Sequence, residues 1–253
     1  MRTSILSVLA ISLCLSACST TRLALAPIEH PTEVPLVYRT GSDCGALEAG
    51  TGIDSTAAAA AERVQVTFVR LSTAESEALL GPIGARPAAL EVALADAERL
   101  LASVVAQNAG RLENAGLVAL APGSTGEIRV ARQCAYVAAF ELSQTPGMAI
   151  ADPIVAVTED GYLLRLGART PMEADAFELS VELVLSDLDQ PMRERLLTLP
   201  GSAIPVTVQE PAWMTQRIQT SATLSDTRAL LLAGIPAREE GQTLLLVLRR
   251  EKR

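Results

Sequence analysis

Alternation of apolar and polar residues over several stretches is the feature that most constrains the fold of this chain. Val64, Val66 and Phe68 alternate with polar residues, and the same pattern runs from Phe177 to Leu185. A period of two turns one face of a strand toward a core and the other toward water. The sequence therefore predicts a domain built mainly from antiparallel strands.

One segment has the period of a helix instead. Its apolar residues recur every three or four positions, at Leu90, Leu94, Ala97, Leu101 and Val104. This spacing predicts one long helix from about Pro87 to Asn108, with Pro87 in the first turn and Gly110 past the end. No regular succession of strands and helices indicates a doubly wound sheet, so we expect an α+β fold, mainly antiparallel β-sheet with one long helix.

An Asp-Gly step between two apolar runs predicts a tight turn. Ile154 to Val157 precedes Glu159-Asp160-Gly161, and Tyr162 to Leu166 follows. Asp-Gly flanked by apolar strands is a strong hairpin signal. We therefore expect a hairpin that reverses at these three residues.

The first eighteen residues resemble a bacterial lipoprotein signal peptide. Arg2 leads into an apolar run that ends in Leu15-Ser16-Ala17-Cys18, and the run is shorter than the roughly 20 residues of a spanning helix. The resemblance implies cleavage after Ala17 and acylation of Cys18. Ser19 at the next position implies an outer-membrane anchor, with the domain facing the periplasm. An ordinary secretory signal with a chance cysteine is the alternative.

These features divide the chain into three parts. Residues 1–17 are the expected signal peptide, residues 18–61 a lipidated cysteine and flexible tether, and residues 62–253 the folded domain. The tether is predicted because Pro27, Pro31 and Pro35 recur there without a sustained apolar period.

Cys44 and Cys134 are the two cysteines left once Cys14 is removed with the signal and Cys18 carries lipid. A pair of cysteines in an oxidising compartment suggests a disulfide. Two unpaired buried thiols are the alternative, because a free cysteine also behaves as a small apolar residue.

The sequence contains little that favours catalysis. His30 is the only histidine and lies in the predicted tether, which makes a histidine triad or a His/Cys zinc site improbable. Gly81-Pro-Ile-Gly-Ala lacks the lysine and hydroxyl of a phosphate-binding loop. The formal net charge is −8 and no long basic block is present, so nucleic acid is not an expected partner. We expect no catalytic residue, metal or cofactor.

Taken in order, the predicted strands resemble the β domain of bacterial secretins, the outer-membrane rings of secretion systems and pili. The matching segments are Val64 to Leu71, Gly126 to Val130, Gly161 to Leu166, and Arg217-Ile-Gln-Thr220 followed by Asp226 and Leu231 to Ile235. Ala131, Ala168 and Thr227 depart from the family pattern. The resemblance implies a secretin-like core and a non-enzymatic role in protein assembly, through self-association or through contact with a secretin-type assembly.

The chain is expected to lack one secretin feature. A secretin carries a long segment between its second and third matching strands, and here only about Phe140 to Ile154 is expected to be available. Such a segment is too short for two spanning strands of about 9–11 residues each. We therefore expect no membrane-spanning hairpin and no pore formed by this chain alone.

Three residues are candidates for partner contact, namely Trp213, Arg217 and Thr220. Tryptophan is enriched in interaction hot spots, although core packing is the alternative for Trp213. Two other functions remain open. One is a small-ligand or cell-wall binding module, and the other is an envelope hydrolase that uses Glu159, Asp160 and Asp187.

Overall fold

The structure, a computed structural model, describes residues 28, 31–41, 62–107, 110–145, 148–169, 175–199 and 205–251. These residues form a mainly antiparallel β fold with helices α1 (Thr73–Leu80) and α2 (Leu94–Gln107) and a short 3-10 turn, Gly81–Ala85. The strands are β1 (Thr32–Val34), β2 (Leu36–Gly41), β3 (Glu62–Ser72), β4 (Ala88–Ala93), β5 (Arg111–Leu120), β6 (Thr125–Thr145), β7 (Met148–Ala168), β8 (Ala176–Leu188), β9 (Arg193–Thr198), β10 (Pro205–Glu210), β11 (Trp213–Ser225), β12 (Arg228–Pro236) and β13 (Gln242–Arg250).

Eleven of the described strands form one antiparallel sheet that curves into a nearly closed barrel. Its order is β5, β3, β13, β12, β11, β8, β7 and β6. β11 and β12 pair only beside their turn, at Ser225 and Arg228. The gap between them is occupied by β4, which pairs with β12, and by β2, which pairs with β11. β1 pairs with β4 and continues through Pro35 into β2, so this segment links the two sides.

The edge strands β5 and β6 meet through side-chain contact along a seam. A Cβ atom added to Gly126 would lie 2.3 Å from Cγ1 of Val118, and one added to Gly116 would lie 3.0 Å from Cδ1 of Ile128. Because no side chain larger than hydrogen fits at Gly126 without movement, the glycines allow the two edges to approach closely.

The core has two layers, one inside the barrel and one between the sheet and the helices. Leu230 and Leu246 belong to the inner layer, whereas Leu231 and Leu245 pack in the layer that contains residues of α1 and α2. Strands β12 and β13 are therefore buried on both faces, which accounts for their continuous apolar runs. Neither helix in the described part of the chain is long and apolar enough to cross a membrane.

The mainly antiparallel sheet was predicted correctly, but the single long helix was not. Residues 88–93 of the predicted helix form β4, and α2 begins only at Leu94. β4 is mostly buried because Ala89 packs in the inner layer, whereas Leu90 and Val92 pack in the layer beside the helices. A strand buried on both faces shows no alternation of apolar and polar residues. The apolar residues of β4 therefore fitted the helical period of α2, and no sequence pattern marked the boundary between them. A second helix, α1, begins at a capping box formed by Ser72 and Glu75.

Part of the predicted tether belongs to the sheet. Residues 32–41 form β1 and β2, and the backbone N–H of Ile28 donates to the carbonyl of Leu79. The expected signal peptide, Cys18, His30 and residues 42–61 lie outside the described residues. The prediction that residues 62–253 alone form the folded domain is therefore wrong, because β2 adds to the central strand β11.

Glu159-Asp160-Gly161 is not a turn. β7 runs straight through these residues and pairs with β6 from Thr125↔Gly167 to Thr145↔Met148. A Cβ atom on Gly161 would lie 2.2 Å from the carbonyl oxygen of Val130, so this glycine permits close approach within the ladder and does not reverse the chain.

The same pairing creates a hairpin much longer than expected. β7 pairs with β8 only from Gly161 to Ala168, so residues 132–145 and 148–160 project beyond the barrel as a two-stranded ribbon. We call this ribbon the arm. The expectation that only a short segment is available here was wrong, because the flanking strands continue into the hairpin without interruption.

Candidate functional site

The inward-facing positions of several strands carry charge at the end of the barrel from which the arm emerges. On β8 the inward-facing apolar residues Leu179, Leu183 and Leu185 are followed, at the next inward position, by Asp187. On β7 the inward face that includes Leu164 continues through Tyr162 to Asp160. We call this end the mouth. It holds a cleft of about 430 Å³ whose charged lining residues are Arg70, Glu113, Arg132, Asp160, Asp187, Arg238 and Glu239.

Asp160 has the most partners in the mouth. Its Oδ2 atom accepts from Nη2 of Arg132 at 2.6 Å and from Nη1 of Arg238 at 3.2 Å. Its Oδ1 atom accepts from the backbone N–H of Leu188 at 3.1 Å. The carboxylate therefore joins the arm, β8 and the β12–β13 loop by charge-assisted hydrogen bonds.

A second group of ion pairs lies around Arg70. Its Nε atom is 2.9 Å from Oε1 of Glu113, and its Nη1 atom is 2.9 Å from Oε1 of Glu239. Each arginine of the mouth is therefore paired with at least one carboxylate.

The side chain of Asp187 makes no hydrogen bond or ion pair with any other described residue, although its backbone lies in the β8–β11 ladder. Burial raises the pKa of its carboxyl above the usual value, and the negative charge of Asp160 raises it further. Arg238 and Arg70 act in the opposite direction without overcoming these effects. Asp187 is thus a half-buried acid whose ionised form lacks a direct counter-charge.

A second cleft, of about 460 Å³, adjoins the first. Asp187 and Arg238 line both clefts, and the second is also lined by Asp189, Gln216 and an apolar group. The apolar group comprises Leu188, Ala212, Trp213, Met214, Pro236 and Ala237. Together the two clefts form one polar and apolar surface at the root of the arm.

Trp213 lies at this root and is not core. Its side chain remains 38% exposed, and Nε1 donates to Oγ1 of Thr158 in the arm at 3.0 Å. Core packing, the alternative considered for this residue, is therefore not observed. Trp213 connects the barrel to the arm and lines the second cleft.

Arg217 and Thr220 lie in the central strand β11, away from the mouth. Nε of Arg217 donates to Oε1 of Glu182 at 2.7 Å, and Oγ1 of Thr220 donates to the carbonyl of Pro35 at 2.6 Å. Both candidates for partner contact therefore have partners within the chain. Their strand is flanked by β8 and β2, so removal of the segment from Arg217 to Ile235 would remove the centre of the sheet.

The carboxylates proposed for a hydrolase are only partly brought together. Asp160 and Asp187 share the mouth, whereas Glu159 accepts from Nη1 of Arg129 at 3.0 Å. Successive residues of a strand point to opposite faces, which separates Glu159 from the other two. Among the described residues, no group of three or more His, Cys, Asp or Glu side chains is arranged to hold a metal ion.

Cys134 is a half-buried residue of the arm with a free thiol, 3.6 Å from Nε2 of Gln190. Cys44 and Cys18 lie outside the described residues. The disulfide and the lipidation therefore stay predictions.

The arm exposes apolar side chains on both faces. Ile154 is 47% exposed on one face, and Val155 and Val157 are each 59% exposed on the other. Two charges, Glu141 and Asp152, occur between Gln133 and Thr158, and the ladder places them opposite each other. Like charges directly opposite weaken a strand pair, so the arm is poorly suited to isolation in water.

Neither edge of the arm is paired in a ladder with a third strand within the described residues. β10 packs beside β6, and Oε1 of Gln209 accepts from the backbone N–H of Val137 at 3.1 Å. The edge of β7 from Met148 to Asp160 pairs with no other strand than β6 in the described part of the chain. Its outward-facing N–H and C=O groups are available for strand addition.

Sequence reasoning missed Arg70, Arg132 and Arg238 as members of the site. Arg70 and Arg132 each follow an apolar alternation, since Val66-Thr-Phe68 and Ile128-Arg-Val130 lead to them at the same period. A charged residue at an inward position near the end of a strand could indicate a site at the barrel end. Use of this pattern requires that the ends of the strands are known.

Comparison of the chain with protein-family models, with curated proteins and with solved structures gives no match. The arm and the mouth are therefore the features of the chain that bear on its function.

Proposed function

We propose that this protein is a non-enzymatic, lipid-anchored protein of the bacterial outer membrane whose β domain assembles with further copies of itself through the arm. The observation that carries the proposal is the arm itself, a long two-stranded ribbon with exposed apolar side chains on both faces and a free β7 edge.

Such a ribbon gains stability when its edge is paired with another strand. A two-stranded hairpin is at best marginally stable alone in water, and an unpaired edge readily accepts another strand. Addition of a strand from a neighbouring copy would pair the β7 edge and place further side chains beside Val155 and Val157. A contact between the β7 edge of one copy and the β6 edge of the next joins different surfaces, so it propagates around a ring and does not stop at a dimer.

The resemblance to secretins supports the same assembly. The arm lies between Gly126 to Val130 and Gly161 to Leu166, the two stretches whose secretin counterparts flank the long segment of that family. The lipoprotein-like first eighteen residues support the membrane address. We propose both the secretin-like class of the domain and its lipid anchor on these resemblances.

Paired valine variants test the role of the arm. Val155→Asp with Val157→Asp places two charges on the exposed face of β7, where they would be desolvated by a neighbouring strand. The matched control is Val105→Asp, since Val105 is 71% exposed on α2 and far along the chain from the arm.

We expect the arm variant to lose cross-linked oligomers in intact cells while the control retains them, with both proteins still in the membrane fraction. Oligomers that persist in the arm variant would contradict assembly through this face. Circular dichroism melting of both variants checks that any loss of oligomers is not due to unfolding of the barrel.

A further inference from the structure

We infer that the adjoining clefts at the root of the arm bind a compact organic cation, a guanidinium or alkylammonium group, between Asp187 and Trp213. This site is separate from the exposed valines of the arm, and the inference does not depend on assembly.

The charges of the site favour a cation. The two clefts bring three arginines together with five carboxylates, namely Arg70, Arg132, Arg238, Glu113, Asp160, Asp187, Asp189 and Glu239. Arg132 and Arg238 donate to Asp160, and Arg70 pairs with Glu113 and Glu239. Asp187 and Asp189 consequently have no ion pair within the described residues, so the second cleft keeps an excess of negative charge.

The partial burial of Asp187 increases its need for an opposite charge. A carboxylate withdrawn from water is destabilised unless an opposite charge or hydrogen-bond donors replace the lost hydration. The elevated pKa of Asp187 is consistent with this deficit. A ligand that supplies a positive charge and N–H donors would replace the hydration that the carboxylate of Asp187 has lost.

The walls of the cleft favour an organic cation over a metal ion. Trp213, Met214 and Pro236 form an apolar side, and Trp213 offers a ring on which a guanidinium or ammonium group can stack. Hard metal ions instead need several oxygen ligands together, and the described residues contain no such group. The apolar side suits the aliphatic stem that accompanies the charge in arginine and lysine side chains.

The chain contains one tryptophan, Trp213, so its fluorescence reports on this cleft alone. We would titrate the purified mature protein with N-acetyl-arginine methylamide, which has one positive charge. The control probe is N-acetyl-citrulline methylamide, which has nearly the same shape without the charge. We expect a saturable change in Trp213 emission with the arginine probe and none with the citrulline probe.

Two variants with opposite expected effects test the assignment. Asp187→Asn is expected to weaken binding of the arginine probe by about tenfold or more, because the charge-assisted contact is lost. Arg238→Gln is expected to tighten binding about threefold or more, because it removes positive charge from the same cleft. Asp175→Asn is the control, since Asp175 is exposed and lies before the opposite end of β8.

Equal responses to the two probes, or unchanged binding in Asp187→Asn, would overturn the inference. A blocked Ala-Arg-Ala peptide distinguishes the sources of the cation. Binding at least about tenfold tighter than the single-residue probe identifies an arginine side chain within a protein, whereas similar binding identifies a free organic cation. The arm variant Val155→Asp with Val157→Asp should bind the arginine probe normally, which separates this inference from the proposed assembly.

Discussion

The carboxylate of Asp160 accepts a 3.1 Å hydrogen bond from the backbone N–H of Leu188, just beyond the last pair of the β7–β8 ladder. That ladder ends at Gly161↔Ser186, so the N–H of Leu188 has no backbone acceptor on β7. The side chain of Asp160 replaces the missing acceptor. It thereby fixes the point at which the arm separates from the barrel.

Replacement of Asp160 by alanine should therefore destabilise the barrel end. The change leaves the N–H of Leu188 and two arginines without their acceptor, and loss of hydrogen bonds to a charged group costs about 1.5–3 kcal/mol. Urea unfolding monitored by circular dichroism measures the free energy of unfolding. Asp175→Ala, at an exposed aspartate, should stay within about 0.5 kcal/mol of the wild type. Equal stability of the two variants would contradict the bracing role of Asp160.

Replacement of Asp187 by asparagine should raise stability at neutral pH. The pKa of Asp187 is raised in the folded state by burial and by Asp160, against the opposing effects of Arg238 and Arg70. A group with a raised folded pKa favours the folded state fully below its unfolded pKa of about 3.9, and this contribution is lost as pH rises through the folded pKa. Asparagine carries no charge, so it removes the penalty.

Thermal melting across pH 3 to 8, a window chosen around the unfolded carboxyl pKa of about 3.9, measures this effect. The difference in Tm between Asp187→Asn and wild type should grow as pH rises above about 4, at about 2–4 °C for each kcal/mol regained. A difference that stays constant over the whole range would show that ionisation of Asp187 carries no cost.

Gly161→Ala should be more harmful than Gly123→Ala. A Cβ atom on Gly161 meets the carbonyl of Val130 at 2.2 Å, whereas one on Gly123 meets nothing within 4 Å. Gly123 has φ +74° and Gly161 has φ +154°, so alanine strains the backbone at both positions, and the left-handed backbone at Gly123 costs about 1–2 kcal/mol. At Gly161 crowding adds an overpacking cost of about 1–3 kcal/mol to the backbone strain. Denaturant unfolding of both variants compares them, and equal losses would argue against close packing at the arm root.

The sequence could predict the strands that have one face in water. β3 and β8 show clear alternation because their outward faces are partly polar. The sequence could not separate β4 from α2, since both faces of β4 are buried and its apolar residues do not alternate with polar ones. The same limit applies to the arm, whose two apolar faces obscured its continuity, and the Asp-Gly pair that suggested a turn lies in the middle of β7.

The mouth could be predicted only in part. The sequence names Asp160 and Asp187 as carboxylates of a candidate hydrolase, but their meeting depends on the register that pairs Gly161 with Ser186. Arg238 reaches Asp160 from the loop between β12 and β13, a long-range contact that no local pattern encodes. The separation of Glu159 follows from strand alternation alone once residues 159 and 160 are known to lie in one strand.

The mass of the detergent-extracted mature protein, measured by light scattering, tests the proposed assembly most directly. If copies join through the arm, the wild type should elute as a ring-sized species with a mass several times that of one chain, and Val155→Asp with Val157→Asp should elute as a monomer. A wild-type monomer at every protein concentration, with the same mass as the arm variant, would contradict assembly.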